Sequence, residues 1–241
     1  MEELELTGIE RVLVVSAHPD DVDFGFAGSV ARLTDQGIEV VYCMVTDGDA
    51  GGAETGLPRE EMAAKRREEQ TAAAAVVGVH DLHWLGYPDG RVEATLDLRR
   101  DISRVIRQVR PQRVMMQPTE RNLDRIYASH PDHLAAAAAA IAAVYPDARN
   151  RWAHPELEAE GHEPWTVEQV WMGAGGPDIT HYIEITESID RKVEALLCHK
   201  SQLPDPEATG QMVRGWTSAI AVSAGLPEGR FAEAVRVVNT V

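Results

Sequence analysis

Short apolar runs and amphipathic segments alternate along this chain. Residues 11–16 and 39–45 are β-branched runs typical of buried strands, and residues 22–36 between them carry apolar side chains at helical spacing before Gly37. Further helices are predicted at 59–77, 96–109, 134–144 and 189–200, and further strands at 82–85, 113–117, 167–172 and 181–185. The alternation predicts an α/β fold, in which a mostly parallel, Rossmann-like sheet carries helices on both faces.

Composition narrows the class of protein. A chain of 241 residues with 44% hydrophobic content can bury a full core, so we expect a single domain over residues 1–241. The net charge of -16 argues against a nucleic-acid partner, because such partners are bound by clustered Lys and Arg. No apolar stretch approaches the roughly 20 residues of a membrane span, and the N-terminus is acidic. We therefore expect no membrane partner and a cytoplasmic location.

Two similar motifs follow predicted strands. The motif HPDD occupies residues 18–21 directly after the first strand, and HPDH occupies residues 130–133. Ser129 stands where a helix N-cap is expected, and the proline of HPDH falls in the first helical turn, so the second motif is predicted to open a helix. In open α/β sheets ligands bind outside the carboxyl ends of the strands, which is where both motifs are expected.

The residue types of these motifs suit a hydrolytic metal site. His18, Asp21 and His133 offer two imidazoles and one carboxylate, which is a ligand set for Zn²⁺ with the fourth position open to water. Asp20 is adjacent to these ligands and is not needed as one. It is therefore predicted to act as the general base that takes a proton from the water and later delivers it to a leaving amine.

Two further residues of the second motif, His130 and Asp132, are predicted to assist the reaction without binding the metal. His130 cannot easily bind the same ion as His133, so we expect it to donate a hydrogen bond to a developing oxyanion. Asp132 is predicted to hold His130 in its protonated form.

Two other classes of protein fit the same residues. Two histidines and a carboxylate also form the facial triad of non-haem Fe(II) oxygenases, although the α/β pattern argues against that fold. A carbohydrate-binding protein without catalysis is the third alternative, and the presence of Asp20 beside intact ligands argues against it.

The order of motifs resembles a known family. Over residues 11–202 the chain carries, in succession, AHPDD at 17–21, TDG at 46–48, Arg66 and Glu69, LGYPDG at 85–90, HPDH at 130–133 and HKSQ at 199–202. In these motifs it is similar to the PIG-L/LmbE-like N-acetylglucosaminyl deacetylases, which include the mycothiol- and bacillithiol-pathway enzymes. The resemblance implies zinc-dependent removal of an acetyl or related acyl group from the 2-amino group of an N-acetylglucosamine-type conjugate.

The resemblance also implies site residues and partners. The family's ligands, base and oxyanion histidine fall on the positions derived above, and its sugar contacts are carried over to Arg66 and Asp89. It implies a small N-acetylated amino-sugar conjugate as substrate and zinc, or Fe²⁺ or another divalent ion, as cofactor. It is compatible with a homo-oligomer but does not fix the number of subunits.

Three features fall outside the family pattern or keep an undecided role. Ala128 stands where the mycothiol-pathway members have a loop tyrosine, and Tyr127 lies one position earlier. A role for Tyr127 is therefore left open, as are the roles of His199 and of the segment 150–165, for which a lid, an oligomer contact and a solvated loop are the alternatives.

Overall fold

The fold is built on one mixed sheet of eight strands. The computed structural model describes residues 1–52, 56–124, 126, 129–173 and 178–241. The strands are β1 Glu2–Glu3, β2 Arg11–Ser16, β3 Glu39–Thr46, β4 Asp81–Tyr87, β5 Arg113–Met116, β6 Gln169–Gly173, β7 His181–Glu184 and β8 Ala232–Asn239. Their spatial order is β1-β7-β8-β6-β5-β2-β3-β4, and every pair is parallel except those that β8 makes with β6 and β7.

Helices connect most of the parallel strands. They are α1 Asp21–Gly25, α2 Ala27–Asp35, α3 Arg59–Val76, α4 Leu96–Val109, α5 Pro131–Ala142, α6 Pro155–Ala159, α7 Ile189–Leu196 and α8 Pro206–Ser223, and a π-helical turn, Ala143–Asp147, follows α5. The predicted helix over 22–36 is in fact two helices, which meet at Phe26. In the part of the chain that the structure describes, no helix is both long enough and apolar enough to cross a membrane.

The two faces of the sheet bury two separate hydrophobic clusters. Successive side chains of a strand point to opposite faces, so Val12 and Val14 of β2 pack with α2, α3 and α7. Leu13 and Val15 point the other way and pack with α4 and α5. Because both faces are covered, β2 and β3 read as continuous apolar runs, which is the pattern that the sequence analysis used. The predicted fold class, with helices on both faces, is confirmed.

The last 40 residues contain elements that the sequence pattern did not indicate. Helix α8 and strand β8 follow the last predicted helix, and β8 lies antiparallel between β6 and β7. Through β8, Glu233 reaches the interior beside helix α2. Its carboxylate accepts hydrogen bonds from the backbone N–H groups of Gly28 (3.1 Å) and Ser29 (2.8 Å), which lie in the first turn of α2.

A buried ion pair fastens α7 to this region. The Nζ atom of Lys192 lies 2.6 Å from Oε1 of Glu233, and both side chains are almost fully buried. Lys192 also donates to the carbonyl oxygens of Asp23 (2.9 Å) and Phe24 (2.6 Å) at the end of α1. One lysine therefore joins the helix α1 to both α7 and β8.

Replacing Lys192 with methionine is expected to destabilise the protein strongly. The change leaves the charge of Glu233 buried without its cation, which costs roughly 3–5 kcal/mol of unfolding free energy. The double variant Lys192→Met with Glu233→Gln should recover part of that loss. Urea unfolding followed by circular dichroism measures both.

The matched control is Arg214→Met, which breaks the exposed pair with Asp190. It should change the unfolding free energy by no more than about 1 kcal/mol. An equal cost for the buried and exposed variants would contradict the importance of the buried pair.

Candidate active site

Both motifs lie at the carboxyl ends of adjacent parallel strands. His18 and Asp21 follow β2, and the turn is closed because the Asp21 carboxylate accepts a hydrogen bond from the backbone N–H of His18 at 2.8 Å. The second motif opens α5, which follows β5, the neighbour of β2, and packs against β2. Its N-cap is His130 rather than the predicted Ser129, whose hydroxyl instead accepts from the N–H of Asn122 at 2.8 Å.

His18, Asp21 and His133 form a compact triangle, in which Asp21 faces each histidine with a different carboxylate oxygen. Nδ1 of His18 lies 3.3 Å from Oδ2 of Asp21 and 3.2 Å from Nε2 of His133, and Nε2 of His133 lies 3.0 Å from Oδ1 of Asp21. Ligand atoms that bind Zn²⁺ tetrahedrally at about 2.0–2.1 Å are about 3.3 Å apart. The predicted ligands thus come together at the separation that a small divalent ion requires.

The charge of the site also fits a cation. Burial lowers the pKa of His18, but hydrogen bonds to Asp132, Asp21 and Asp89 outweigh it and raise this pKa to about 12. Burial raises the pKa of Asp21, yet His133 and His18 hold it well below its usual range. A pKa this high for a buried imidazole indicates an excess of negative charge around it.

The second nitrogen of His18 is held by two carboxylates. Its Nε2 atom lies 3.2 Å from Oδ2 of Asp132 and 3.1 Å from Oδ1 of Asp89. Hydrogen bonds from the backbone N–H groups of Gly90 (2.7 Å) and Val92 (3.2 Å) fix the Asp132 carboxylate in turn. A carboxylate behind a histidine orients its ring and presents the other nitrogen, here Nδ1, to a metal.

This arrangement corrects the predicted role of Asp132. Its carboxylate faces His18, not His130, because the loop after β4 supplies the N–H groups that hold it there. The contact between Asp132 and His130 is a backbone one, in which the N–H of Asp132 donates to Nδ1 of His130 at 3.2 Å.

The same contact determines the protonation of His130. A nitrogen that accepts a hydrogen bond carries no proton, so the proton of His130 belongs on Nε2 and the ring is neutral. Burial and the neighbouring His18 also lower the pKa of His130. The predicted protonated form is therefore wrong, but Nε2–H remains a donor. The ring centroid of His130 lies 5.0 Å from that of His18 and 5.4 Å from that of His133.

Asp20 stands beside the triangle. Arg66 donates to its carboxylate (3.0 Å) and also to the carbonyl oxygens of Pro19 (2.6 Å) and Gly48 (3.0 Å). Burial and the charge of Asp21 raise the pKa of Asp20 to about 7, against the opposite effect of Arg66. A divalent ion bound by the triangle would lower this pKa and favour the anion, which is the form that accepts a proton.

The two predicted sugar contacts have protein partners. Arg66 is only 4% exposed, and its described hydrogen bonds go to Asp20 and two carbonyl groups. Asp89 contacts His18 and accepts from the N–H of Ala50 at 3.0 Å. The structure therefore gives both residues a supporting role around the triangle, and their contact with a sugar stays a prediction.

The three undecided features have different outcomes. Tyr127 lies outside the described residues. The segment 150–165 ends with the Trp165 indole donating to the carbonyl of Pro111 (2.7 Å), which precedes β5 at the edge of the sheet opposite the triangle. His199 is fully buried, and its Nε2 lies 2.8 Å from Oδ2 of Asp23.

Neither Asp23 nor Gln70 was among the residues predicted for the site, yet both lie directly behind Asp20. Gln70 accepts from the backbone N–H of Asp20 (2.8 Å) and donates to Asp23 (2.9 Å). The available signal was the spacing in α3, where Arg66 and Gln70 are four residues apart and share one helix face.

A histidine–aspartate–histidine triangle beside a further carboxylate, at the carboxyl ends of parallel strands, has the composition of a hydrolytic metal centre. The chain belongs to the PIG-L family, described as GlcNAc-PI de-N-acetylase, whose model matches residues 13–144. Its homologues are N-deacetylases, which confirms the predicted enzyme class.

Named relatives extend the match over nearly the whole chain. The diacetylchitobiose deacetylase of Thermococcus kodakarensis is 32% identical, over 95% of this chain and 84% of its own. The probable N-acetyl-alpha-D-glucosaminyl L-malate deacetylase 2 of Bacillus anthracis is 30% identical, over 80% of this chain and 81% of its own. The solved N,N'-diacetylchitobiose deacetylase of Pyrococcus horikoshii is 26% identical with a TM-score of 0.87, covering 96% of this chain and 85% of that one.

Proposed function

We propose that this protein is a zinc-dependent hydrolase that removes the acetyl group from the 2-amino group of an N-acetylglucosamine-type sugar conjugate. The observation that carries the proposal is the triangle of His18, Asp21 and His133, with donor atoms 3.0–3.3 Å apart. The names of the relatives support the substrate class, since they act on diacetylchitobiose and on N-acetylglucosaminyl malate. Zinc is favoured over Mg²⁺ or Ca²⁺ because two of three ligands are imidazoles.

Each residue has one task in the proposed reaction. When bound by the triangle, Zn²⁺ lowers the pKa of water to about 7 and polarises a carbonyl group. Asp20 accepts the proton of the attacking water and returns it to the nitrogen as the C–N bond breaks, so the products are acetate and a free amine. His130 donates its Nε2–H to the oxygen that becomes negative. Asp132 and Asp89 hold His18.

Other parts of the proposal rest on the sequence. The substrate is a small molecule, and the chain acts as a single domain in the cytoplasm. Fe²⁺ or another divalent ion is the alternative occupant of the triangle, since imidazole and carboxylate also suit iron.

Acetate release tests the proposed function. Protein loaded with Zn²⁺ is incubated with N-acetylglucosamine, N,N'-diacetylchitobiose and N-acetyl-α-D-glucosaminyl L-malate, and acetate and free amine are measured. At least one substrate should yield acetate and amine in equal amounts, because hydrolysis of one amide produces one of each. Iron-loaded protein is compared in parallel.

Assays of oxygen consumption with 2-oxoglutarate and of sugar binding, made on the same preparations, separate the alternatives. Consumption of oxygen with 2-oxoglutarate, without acetate from any substrate, would indicate an Fe(II) oxygenase. Sugar binding without turnover by fully metallated protein would indicate a non-catalytic binding protein. Either result contradicts the proposed deacetylase.

A further inference from the structure

A chain of buried hydrogen bonds runs behind Asp20. Nε2 of His199 lies 2.8 Å from Oδ2 of Asp23, Gln70 donates to that same oxygen at 2.9 Å, and Oε1 of Gln70 accepts from the backbone N–H of Asp20 at 2.8 Å. The side chains of His199, Asp23 and Gln70 are all fully buried. None of the three belongs to the metal triangle.

We propose that Gln70, oriented by Asp23 and His199, is a positioning residue that holds Asp20 in its working conformation. The inference rests on the proposed function, because it assigns a purpose to the placement of the general base. It adds a role for three buried residues that the reaction itself does not use.

The backbone of Asp20 needs such support. Its φ of 84° and ψ of -28° lie in the left-handed region, which costs a residue with a side chain on the order of 1 kcal/mol or more. The conformation directs the Asp20 carboxylate toward Arg66 while its neighbour Asp21 takes part in the triangle. Gln70 accepts from the N–H of this strained residue and so stabilises the left-handed conformation directly.

One face of α3 holds both ends of Asp20. Arg66 binds the carboxylate, and Gln70, one turn later, binds the backbone N–H. Residues four apart on a helix lie on the same face, so α3 fixes the position and the direction of the base together. The carbonyl oxygen of Asp20 accepts from the N–H of Phe24 at 2.9 Å, so Gln70 is the partner of its N–H alone.

The orientation of the Gln70 amide follows from Asp23. An ionised carboxylate only accepts hydrogen bonds, so the NH₂ group of Gln70 must face Asp23 and its oxygen must face Asp20. His199 donates to the same carboxylate oxygen and keeps it in place. His199 belongs to the HKSQ motif, whose Ser201 is also tied to α3, since it donates to Glu69 at 2.7 Å.

Asp23 is also held independently of Gln70. Lys192 donates to its backbone carbonyl at 2.9 Å, and His199 remains on its carboxylate when Gln70 is changed. A methionine at position 70 fills a similar volume but can neither accept from Asp20 nor donate to Asp23. Gln70→Met therefore removes the link to the base and leaves the rest of the cluster in place.

The test compares Gln70→Met with Thr34→Val. Thr34 donates to the carbonyl of Val77 (2.6 Å), so the control loses a long-range hydrogen bond at the C-terminal end of α3, away from Asp20. For Gln70→Met we expect kcat for acetate release to fall roughly 10- to 100-fold, because small misplacements of a catalytic group have effects of this size. KM should stay within about two-fold of the wild-type value and the metal content should equal that of wild type, since the change does not alter the binding of substrate or metal. The control should keep wild-type kcat.

Exchanging the hydrogen-bonding groups at positions 70 and 23 tests whether the lost activity can be restored. In Gln70→Glu the new carboxylate faces that of Asp23, and activity should fall. In the double variant Gln70→Glu with Asp23→Asn, the asparagine NH₂ group takes the place of Oδ2 and can donate one hydrogen to Glu and the other to Nε2 of His199, which accepts in its other tautomer, so most of the lost kcat should return. Equal activity of Gln70→Met and wild type, or a rescue that fails, would overturn the inference, as would a loss that falls on KM or metal content.

Hydrogen exchange at the Asp20 amide supplies a readout that needs no turnover. Gln70→Met should exchange this amide roughly 3- to 10-fold faster than wild type, which corresponds to the loss of one buried hydrogen bond. Unchanged exchange contradicts the inference. A wild-type protein that releases no acetate contradicts the proposed function instead, and the exchange rates then still decide whether Gln70 holds Asp20.

Discussion

Replacing Asp20 with asparagine is expected to lower kcat for acetate release by a factor of about 10²–10⁴, which is the range for loss of a general acid–base group. The bound metal should remain at the wild-type level, because the Asp20 carboxylate is not among the donor atoms of the triangle. Asparagine is the suitable substitute. It tolerates the left-handed backbone of this position, and its oxygen still accepts from Arg66, so the geometry is kept while the negative charge and the ability to take a proton are lost.

The matched control is Asp101→Asn. Asp101 is also an aspartate paired with arginine, since it accepts from Arg104 at 2.7 Å, but it lies on α4 outside the candidate site. It should keep wild-type kcat. Full activity of Asp20→Asn would remove Asp20 from the mechanism, and loss of metal from that variant would make it a ligand instead. Both measurements, turnover and metal content, are made on the same preparation.

The metal triangle could be predicted because its geometry follows from the fold class. Continuous apolar runs indicated parallel strands buried on both faces, and the carboxyl ends of such strands meet at one edge. His18 and Asp21 are three residues apart in one turn, and His133 follows a strand that pairs directly with β2. Local sequence and one rule of topology are therefore sufficient to predict that these three side chains lie close together.

The partners of the other residues could not be predicted in this way. Asp132 is next to His133 in sequence, yet its carboxylate contacts His18, which is 114 positions away. That choice depends on the N–H groups of the loop after β4, whose path is a property of the folded chain. The link between His199 and Asp23 spans 176 positions. Neither pairing leaves a periodic pattern in the sequence.

The capping of α5 shows the same limit at short range. A serine before a proline is a common N-cap signal, and Ser129 fits it. The helix instead begins one residue later, with His130 as N-cap, because the Ser129 hydroxyl is occupied by the N–H of Asn122. This shift of one residue has a chemical consequence, since the cap interaction is what makes His130 a neutral donor.

Replacing His133 with alanine is expected to abolish stoichiometric metal binding, and acetate release with it. Two protein ligands remain, His18 and Asp21, and they come from one turn. His133 is the ligand that connects this turn to α5, so its loss removes the chelation across the two strands. Metal content after dialysis, and competition with a chromogenic chelator, measure the effect.

Two further variants make the result specific to the ligand. Asp132→Asn keeps the triangle but weakens the support of His18, and such supporting carboxylates are worth roughly 10- to 100-fold in metal affinity. Its affinity should therefore fall between those of wild type and His133→Ala. His83→Ala alters a histidine on β4 beside Asp81, at the start of the strand, and should bind metal like wild type.

If His133→Ala retained a full equivalent of metal, the ion would be held by other donors, such as His18 with Asp89 and Asp132, whose ligand atoms also lie close together. The order of the metal affinities of wild type, Asp132→Asn and His133→Ala thus decides whether the ion is bound at Nδ1 or at Nε2 of His18.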